Sequence, residues 1–309
     1  MSRSIKVFSL CFILFVAVAA CKRTVPAKNY NDTYTSGTLP LVADESFAPI
    51  VDQELYIFKN DNPNAHPEAT FRSENDAVRM LMNDSVRFAF LSRPLTADEV
   101  NLVKQRKNLT VVTREFAMDA VVVIVNEAST DTATSVGEIK KMLQGQAKTD
   151  RSVVFDNPNS GLVRYLKSFA GVSDFKEKNI YALKSNKEVI NYVSQHPEAI
   201  GITSFSWVDD PDADYADAVK KVRILSVKNE ESKTAPNKYF RPSQTTLYLK
   251  QYPLQRSLYV VNCTGRKGLG TGLELFVEGD KGQRIILRSG LLPTIIPERN
   301  IMIHSNNKF

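Results

Sequence analysis

Cysteine, histidine and tryptophan are scarce in this chain: 309 residues hold three Cys, three His and one Trp. Cys11 lies inside an apolar run near the amino terminus and Cys21 directly follows it. Only Cys263 is left for the folded body, so no internal disulfide framework is available there. His66, His196 and His304 are far apart in sequence, and neither HExxH, HxH nor CxxC occurs. The usual zinc signatures are therefore missing. Missing too are the GxSxG elbow, the SxxK pair and the GxxxxGK phosphate loop. No nucleophile–base pair can be named, which argues against a hydrolase and predicts a protein that is not an enzyme and needs no cofactor or metal. Charge of one sign is not concentrated anywhere. Lys and Arg number 40 against 34 Asp and Glu, a net of +6, and the excess is scattered. It slightly favours small anionic partners and gives no basic block for nucleic acid. The apolar share, 43%, excludes a disordered or collagen-like chain, and its distribution excludes a polytopic membrane protein.

What is present begins with an export signal. Arg3 and Lys6 precede an apolar run over 7–20 that is too short for a comfortable membrane span. Val18-Ala19-Ala20-Cys21 resembles the bacterial lipobox, in which the cysteine is lipidated and becomes the new first residue. The expectation is a lipoprotein signal peptide over 1–20, lipidation at Cys21, and a polar tether over 21–37. Such a chain is exported and held to the cell envelope by lipid.

From residue 38 onward strand-like runs alternate with helical spacing. A strand is expected at 39–43. Apolar residues at 47, 50, 51, 55 and 58 then predict a helix. Ser73, with Asp76 three residues on, opens the next helix, and 86–91 is strand-like. Thr96 and Glu99 form a capping box for a third helix. LTVVT and AVVVIV, within 109–125, read as two β runs, the second buried on both faces. Ser135 and Glu138 form another capping box. Further strands are expected at 151–155, 180–183, 199–205 and 222–227, and short ones at 247–249 and 258–261. Helices are expected at 161–170, from Ser185 to about His196, and over 269–287 in two pieces broken near Gly279. The stretch 209–217 reads as an acidic loop, Gly265 to Gly272 as a loop before the terminal helices, and Trp207 as a core aromatic. This alternation predicts an α/β protein of two lobes with mainly parallel sheets.

The chemistry-bearing residues cluster at strand-to-helix turns. Asp44-Glu45-Ser46 follows the first strand, Arg72-Ser73 opens the second helix, Ser92-Arg93 follows VRFAFL, and Asn157 to Gly161 follows SVVFD. Helix starts offer free N–H groups and a favourable dipole end to anions, and in open α/β sheets ligands gather at the carboxyl ends of strands. Any one of these serines could be a plain N-cap, and either arginine a solvated surface charge. Four such turns in an exported chain without catalytic motifs point to oxyanion binding.

The segments ADESF (43–47), FAFLSRPLTADE (88–99), DAVVVIVN (119–126), VFDNPNSGLVRYL (154–166), EAIGITSFSW (198–207) and EGDKGQRIILRSGLLP (278–293) run in this order through the folded body. Together they resemble the periplasmic phosphate-binding proteins, solute receptors of the phosphate ABC transporter, in their short lipoprotein form. The resemblance implies a two-lobed α/β fold of the type II periplasmic-binding-protein class, each lobe a sheet flanked by helices, joined by two hinge crossings. It places lobe one at 38–116 plus 258–309 and lobe two at 117–257. It implies capture of inorganic phosphate between the lobes by Asp44, Ser46, Phe47, Ser73, Ser92 and Arg93 from one side and Ser160 and Gly161 from the other. Delivery to ABC permease subunits, a monomeric state and attachment to the membrane through lipid follow from the same likeness. Three positions depart from relatives. Leu162 stands where a Thr is common, Phe71-Arg72-Ser73-Glu74 where a Gly-rich segment is frequent, and Asn157 near a position often basic. Another small oxyanion or polar solute, or an envelope lipoprotein that no longer transports, are the alternatives these departures keep open.

Overall fold

The computed structural model describes residues 32–107, 109–147 and 151–297. The signal-peptide and Cys21 expectations lie outside the described residues. The chain runs β1 (Gly37–Asp44), a 3-10 turn (Glu45–Phe47), α1 (Ala48–Asp61), β2 (Ala65–Arg72), α2 (Glu74–Met82), β3 (Phe88–Leu91), α3 (Ala97–Lys107) and β4 (Val112–Asn126). Next come β5 (Ala133–Ser135), α4 (Val136–Leu143), β6 (Val153–Phe155), α5 (Gly161–Ala170), β7 (Ile180–Ala182), α6 (Asn186–Gln195), β8 (Ile200–Ser204) and two short helices, α7 (Ser206–Asp209) and α8 (Ala216–Val219). It closes with β9 (Val222–Ile224), β10 (Ser226–Lys228), β11 (Tyr239–Phe240), α9 (Gln244–Tyr248), β12 (Gln255–Asn262), α10 (Leu269–Glu278), α11 (Asp280–Arg288) and β13 (Leu292–Pro293).

The main sheet has the order β2-β1-β3-β12-β4-β8-β6-β7, with β13 and β9 also paired to β4; β11-β10-β5 form a small separate sheet. The expectation of mainly parallel sheets is corrected. β1 with β2 and β3, and β6 with β7 and β8, are parallel, but every ladder made by β4 and β12 is antiparallel. The two β runs expected within 109–125 are one strand, β4, whose residues from Val112 to Ala120 pair with β12 while Val121 to Val125 pair with β8. β4 therefore belongs to both halves of the sheet. Its continuous VVVIV run has no polar face because both sides are covered, which is why alternation is absent there.

Apolar packing follows the same division. One cluster draws its residues, Ala48 apart, from between Ala120 and Leu254, and two others draw on 39–117 and on residues from Leu258 onward. Fully buried Phe47, Phe88, Phe90, Phe116 and Leu41 anchor the first half, each contributing roughly 1.5–3 kcal/mol on burial.

Local signals placed most helices. Ser73, Ser135, Ser160 and Ser185 are N-caps whose hydroxyls accept backbone N–H groups, and the Ser135–Glu138 capping box is complete. The β run expected at 247–249 is instead the end of α9, which Ser243 caps through the Thr246 N–H. β2 went unread because AHPEATFR is polar and carries Pro67. It is an edge strand, where a missing N–H costs little. The Gly-rich stretch expected as a loop over Gly265 to Gly272 becomes helical from Leu269, and it seats the chain's first described residues. A Cβ on Gly268 would collide with the Asp32 carboxylate, and one on Gly272 with the Tyr34 carbonyl. Asp32 accepts from Arg266 at 3.1 and 2.8 Å and from the Leu269 N–H at 2.9 Å, which fastens residue 32 to the start of α10.

Candidate functional site

β1 delivers Asp44 to the edge of the junction between the half-sheets. Asp44 is extended (φ −64°, ψ 121°) and caps the 3-10 turn, its Oδ1 accepting the Ser46 N–H at 3.1 Å and its Oδ2 the Ser46 hydroxyl at 2.9 Å. From the second half, the first N–H of α5, that of Gly161, donates to the same Asp44 Oδ2 at 3.0 Å. A helix N-terminus thus meets a carboxylate, the pairing its dipole and unused donors favour.

α2 supplies the other carboxylate. Glu74, its first residue, is 1% exposed. Its Oε2 accepts the Ser92 N–H at 3.0 Å and the Ser92 hydroxyl at 2.6 Å, and its Oε1 is paired with the Arg164 guanidinium of α5. Arg164 also donates to the Ser92 carbonyl and hydroxyl, both at 3.0 Å. Gly161 sits at the middle of this group. A Cβ built on it would collide with Ser92 Oγ and Asp44 Oδ2 and come within 2.8 Å of Glu74 Oε2. The close approach of the α5 backbone demands glycine here.

Behind Asp44 lies Arg256 on β12, 4% exposed. Its Nε and Nη2 hold Asp119 of β4 at 3.0 and 2.9 Å, while Nη1 donates to Ser46 Oγ at 2.9 Å and Nη2 to the Ser46 carbonyl at 3.1 Å. The Trp207 indole N–H donates to that same carbonyl at 3.2 Å. Alongside, Asn186 Nδ2 donates to Glu45 at 3.1 Å and to Asp156 at 3.0 Å, and the Ser160 hydroxyl reaches Asp156 at 2.5 Å.

Burial decides the protonation of these acids. Asp44 is pushed up to about 6 by burial, with the Glu74 charge adding and the Arg256 charge opposing. Glu45 is pushed up to about 7, again by burial first, against the hydrogen bond from Asn186. Asp156 is driven well above the usual carboxylate range by burial, only partly offset by Ser160. Among the described residues no cluster of His, Cys, Asp and Glu is placed to hold a metal, and no helix is long and apolar enough to cross a membrane.

The sequence-derived set is only partly gathered here. Asp44, Ser46, Ser92 and Gly161 converge within hydrogen-bonding reach. Ser160 caps α5 and turns to Asp156. Phe47 is fully buried in the first half's core, its ring 5.6 Å from the Arg256 guanidinium carbon. Ser73 bonds within its own helix start, to the Asp76 N–H at 3.3 Å and to the Asp76 carboxylate at 2.8 Å, and serves to present Glu74. Arg93 turns away to fork onto Glu99 at 2.7 and 2.8 Å, its Nε staying 3.7 Å from Glu74. Arg164, Arg256, Asp156 and Asn186 were not singled out. Arg164 had a legible signal: it lies four residues after Ser160, one turn along the same helix face.

A family model described as the PBP superfamily domain matches residues 29–278. A phosphate-binding protein PstS of Borreliella burgdorferi is 23% identical over 268 residues, covering 79% of this chain and 86% of that one. Among solved structures, a putative phosphate ABC transporter substrate-binding protein of Clostridium perfringens, with bound phosphate, superposes with a TM-score of 0.69 at 17% identity over 84% of this chain and all of that one (100%). An ABC-type phosphate transport receptor of Vibrio cholerae does so with a TM-score of 0.62 at 18% identity, over 83% of this chain and 100% of that one. The family model spans most of the chain, and the chain belongs to the PBP superfamily.

Proposed function

We propose that this protein is an extracytoplasmic receptor that captures inorganic phosphate between two lobes for uptake by an ABC transporter. Lobe one comprises 38–116 and 258–309, lobe two 117–257, and the crossings lie on β4 and just before or within β12. One observation carries the reading. The N–H and hydroxyl of Ser92, the N–H of Gly161, the hydroxyl of Ser46 and the guanidiniums of Arg164 and Arg256 converge from both lobes on oxygen atoms in one buried place. Charge-assisted donors around a desolvated point suit a small oxyanion. The relatives named for phosphate support the choice of anion. Lipidation at Cys21 would hold the receptor at the envelope, with permease subunits as its partners.

A second reading has its own support. Asp44, Glu45, Glu74 and Asp156 line the same place, and their number favours a polar solute that brings a positive group or protons with its oxyanion. Calorimetric titration of the full chain with phosphate, then sulfate, separates the two. Micromolar or tighter binding of phosphate alone is expected. Silence with both anions on folded protein would remove the phosphate reading and leave the polar solute.

A further inference from the structure

Three carboxylates are packed around the start of α5 and the side chain of Asn186. Asn186 Nδ2 donates to Glu45 at 3.1 Å and to Asp156 at 3.0 Å, so these two acids share one amide nitrogen. Ser160 donates its hydroxyl to Asp156, and the next residue, Gly161, donates its N–H to Asp44. Asp44 and Glu45 are neighbours in sequence, which closes the ring. The cations nearby are already engaged. Arg164 is paired with Glu74, Arg93 with Glu99, and Arg256 with Asp119 and Ser46. On α6, Lys187 holds Asp214 at 2.5 Å, and Asn186 Oδ1 accepts the Thr203 hydroxyl of β8 at 2.7 Å. Five acids (Asp44, Glu45, Glu74, Asp119 and Asp156) therefore face three guanidiniums (Arg93, Arg164 and Arg256).

We propose that this cleft takes up its oxyanion together with a proton, which the Glu45–Asp156 pair draws from solvent and holds while the anion is bound. The proposal rests on the oxyanion-receptor reading. An anion received by the donors of Ser92, Gly161 and Arg164 adds negative charge where acids already outnumber guanidiniums. Like charges in a desolvated place raise one another's affinity for protons. The three guanidiniums already hold carboxylates, so a proton from solvent is the remaining counter-charge. Glu45 and Asp156 are the acids placed to take it. Asp44 receives a helix-start N–H, Glu74 and Asp119 are paired with arginines, and this pair is met by the neutral donors of Asn186 and Ser160. Burial supports the choice, raising Glu45 to about 7 and Asp156 well above the usual range against the opposing charge of Arg256. Two acids on one amide nitrogen titrate as a unit, so the proton belongs to the pair. A group that holds its proton more tightly in the loaded protein strengthens binding at low pH and weakens it as the pH rises.

Calorimetric titration of the full-length chain in detergent with inorganic phosphate tests this. Runs between pH 6 and 9, each in two buffers of different ionisation heat, count the protons taken up per anion. Phosphate itself titrates in this range, so the readout is the difference between wild type and variant, in which that contribution is common. The double variant Glu45→Gln with Asp156→Asn is expected to take up about one proton fewer per phosphate than the wild type at pH 8. The ratio of wild-type to variant affinity is expected to fall by up to about tenfold for each pH unit above 7. Glu45→Gln alone, at a half-buried position, is expected to show the same change in smaller measure and serves if the double variant does not fold. Equal proton counts in wild type and variants, with phosphate bound by both, would overturn the proposal and leave the receptor reading standing. A variant that binds more weakly by the same factor at every pH would overturn it too, since that is the mark of a merely structural role. No phosphate binding by the folded wild type at any pH would remove the receptor reading and the proposal with it.

Discussion

Asp44 and Glu74 meet the α5 start through charged or dipolar donors, whereas Glu45 and Asp156, a few residues away, meet the Asn186 side-chain amide, the Asn186 N–H and the Ser160 hydroxyl. Both pairs are buried, and burial raises Asp44, Glu45 and Asp156 alike. The difference lies in what opposes it. Near Asp44 and Glu74 two guanidiniums and a helix N-terminus reward a negative charge. Near Asp156 the Ser160 hydrogen bond and the Arg256 charge oppose burial, and burial still raises it well above the ordinary range. One region is held by ion pairs and a helix start, the other largely by the neutral donors of Asn186 and Ser160.

Removing the charged side of this contrast has the largest expected effect. Arg256→Leu leaves Asp119 buried opposite an apolar side chain, and Asp119 Oδ1 already lacks a partner among the described residues. Stability should fall by ~3–5 kcal/mol, the usual cost of stranding one member of a buried ion pair. Urea unfolding at neutral pH measures it, and a loss under ~1 kcal/mol would mean that water reaches Asp119.

Gly161→Ala separates the two regions physically rather than electrically. The new methyl collides with Ser92 Oγ and Asp44 Oδ2 only while the lobes are together. Overpacking of ~1–3 kcal/mol, borne by the closed form alone, shifts the balance toward the open form by roughly 5- to 150-fold. Small-angle scattering should report a larger radius of gyration than in the wild type, with thermal unfolding almost unchanged. An unchanged radius would show that the closing contacts absorb the methyl.

The proton-held side gives the smallest and most specific effect. The folded-state value of Glu45, about 7, lies above its ordinary 4.5. Its contribution is therefore fully present below about pH 4.5 and is lost as the pH rises through about 7. Asp156 and Asp44 act in the same direction. Glu45→Gln should flatten the decline of Tm between pH 5 and 8, and Asp156→Asn should be close to neutral at pH 5 and stabilising at pH 8. A Tm that rises with pH over that window in the wild type would contradict the assignment of protons to this pair.

The architecture was largely legible because helices announce their own starts. Serine caps at 73, 135, 160 and 185 and the break at Gly279 are local signals, and local signals survive without tertiary context. Sheet direction was not legible: whether β12 runs with or against β4 depends on where the chain returns, and QRSLYVVN reads the same either way. The cleft was half legible for a similar reason. Ser92 and Gly161 were named by their turns, but a turn does not tell which arginine will face it. Arg93, next to Ser92, has Glu99 six residues on to claim it, while Arg256 comes from the far side of the sequence. Glu74 was visible only as an unexpected negative charge near an anion site. Its meaning depended on Arg164 and Ser92 lying opposite, a fact of the fold and not of its neighbourhood.

The fastening of Asp32 to Arg266 and the Leu269 N–H also sets a load path. Tension arriving through the segment before residue 32 is taken up at the start of α10, which packs on β1 and β12 in the first half. From there it passes through β12 to β4, the strand common to both halves. A pull applied at Asp32 therefore loads α10 and the β1 half of the sheet first, and reaches the Gly161 half by way of β12 and β4.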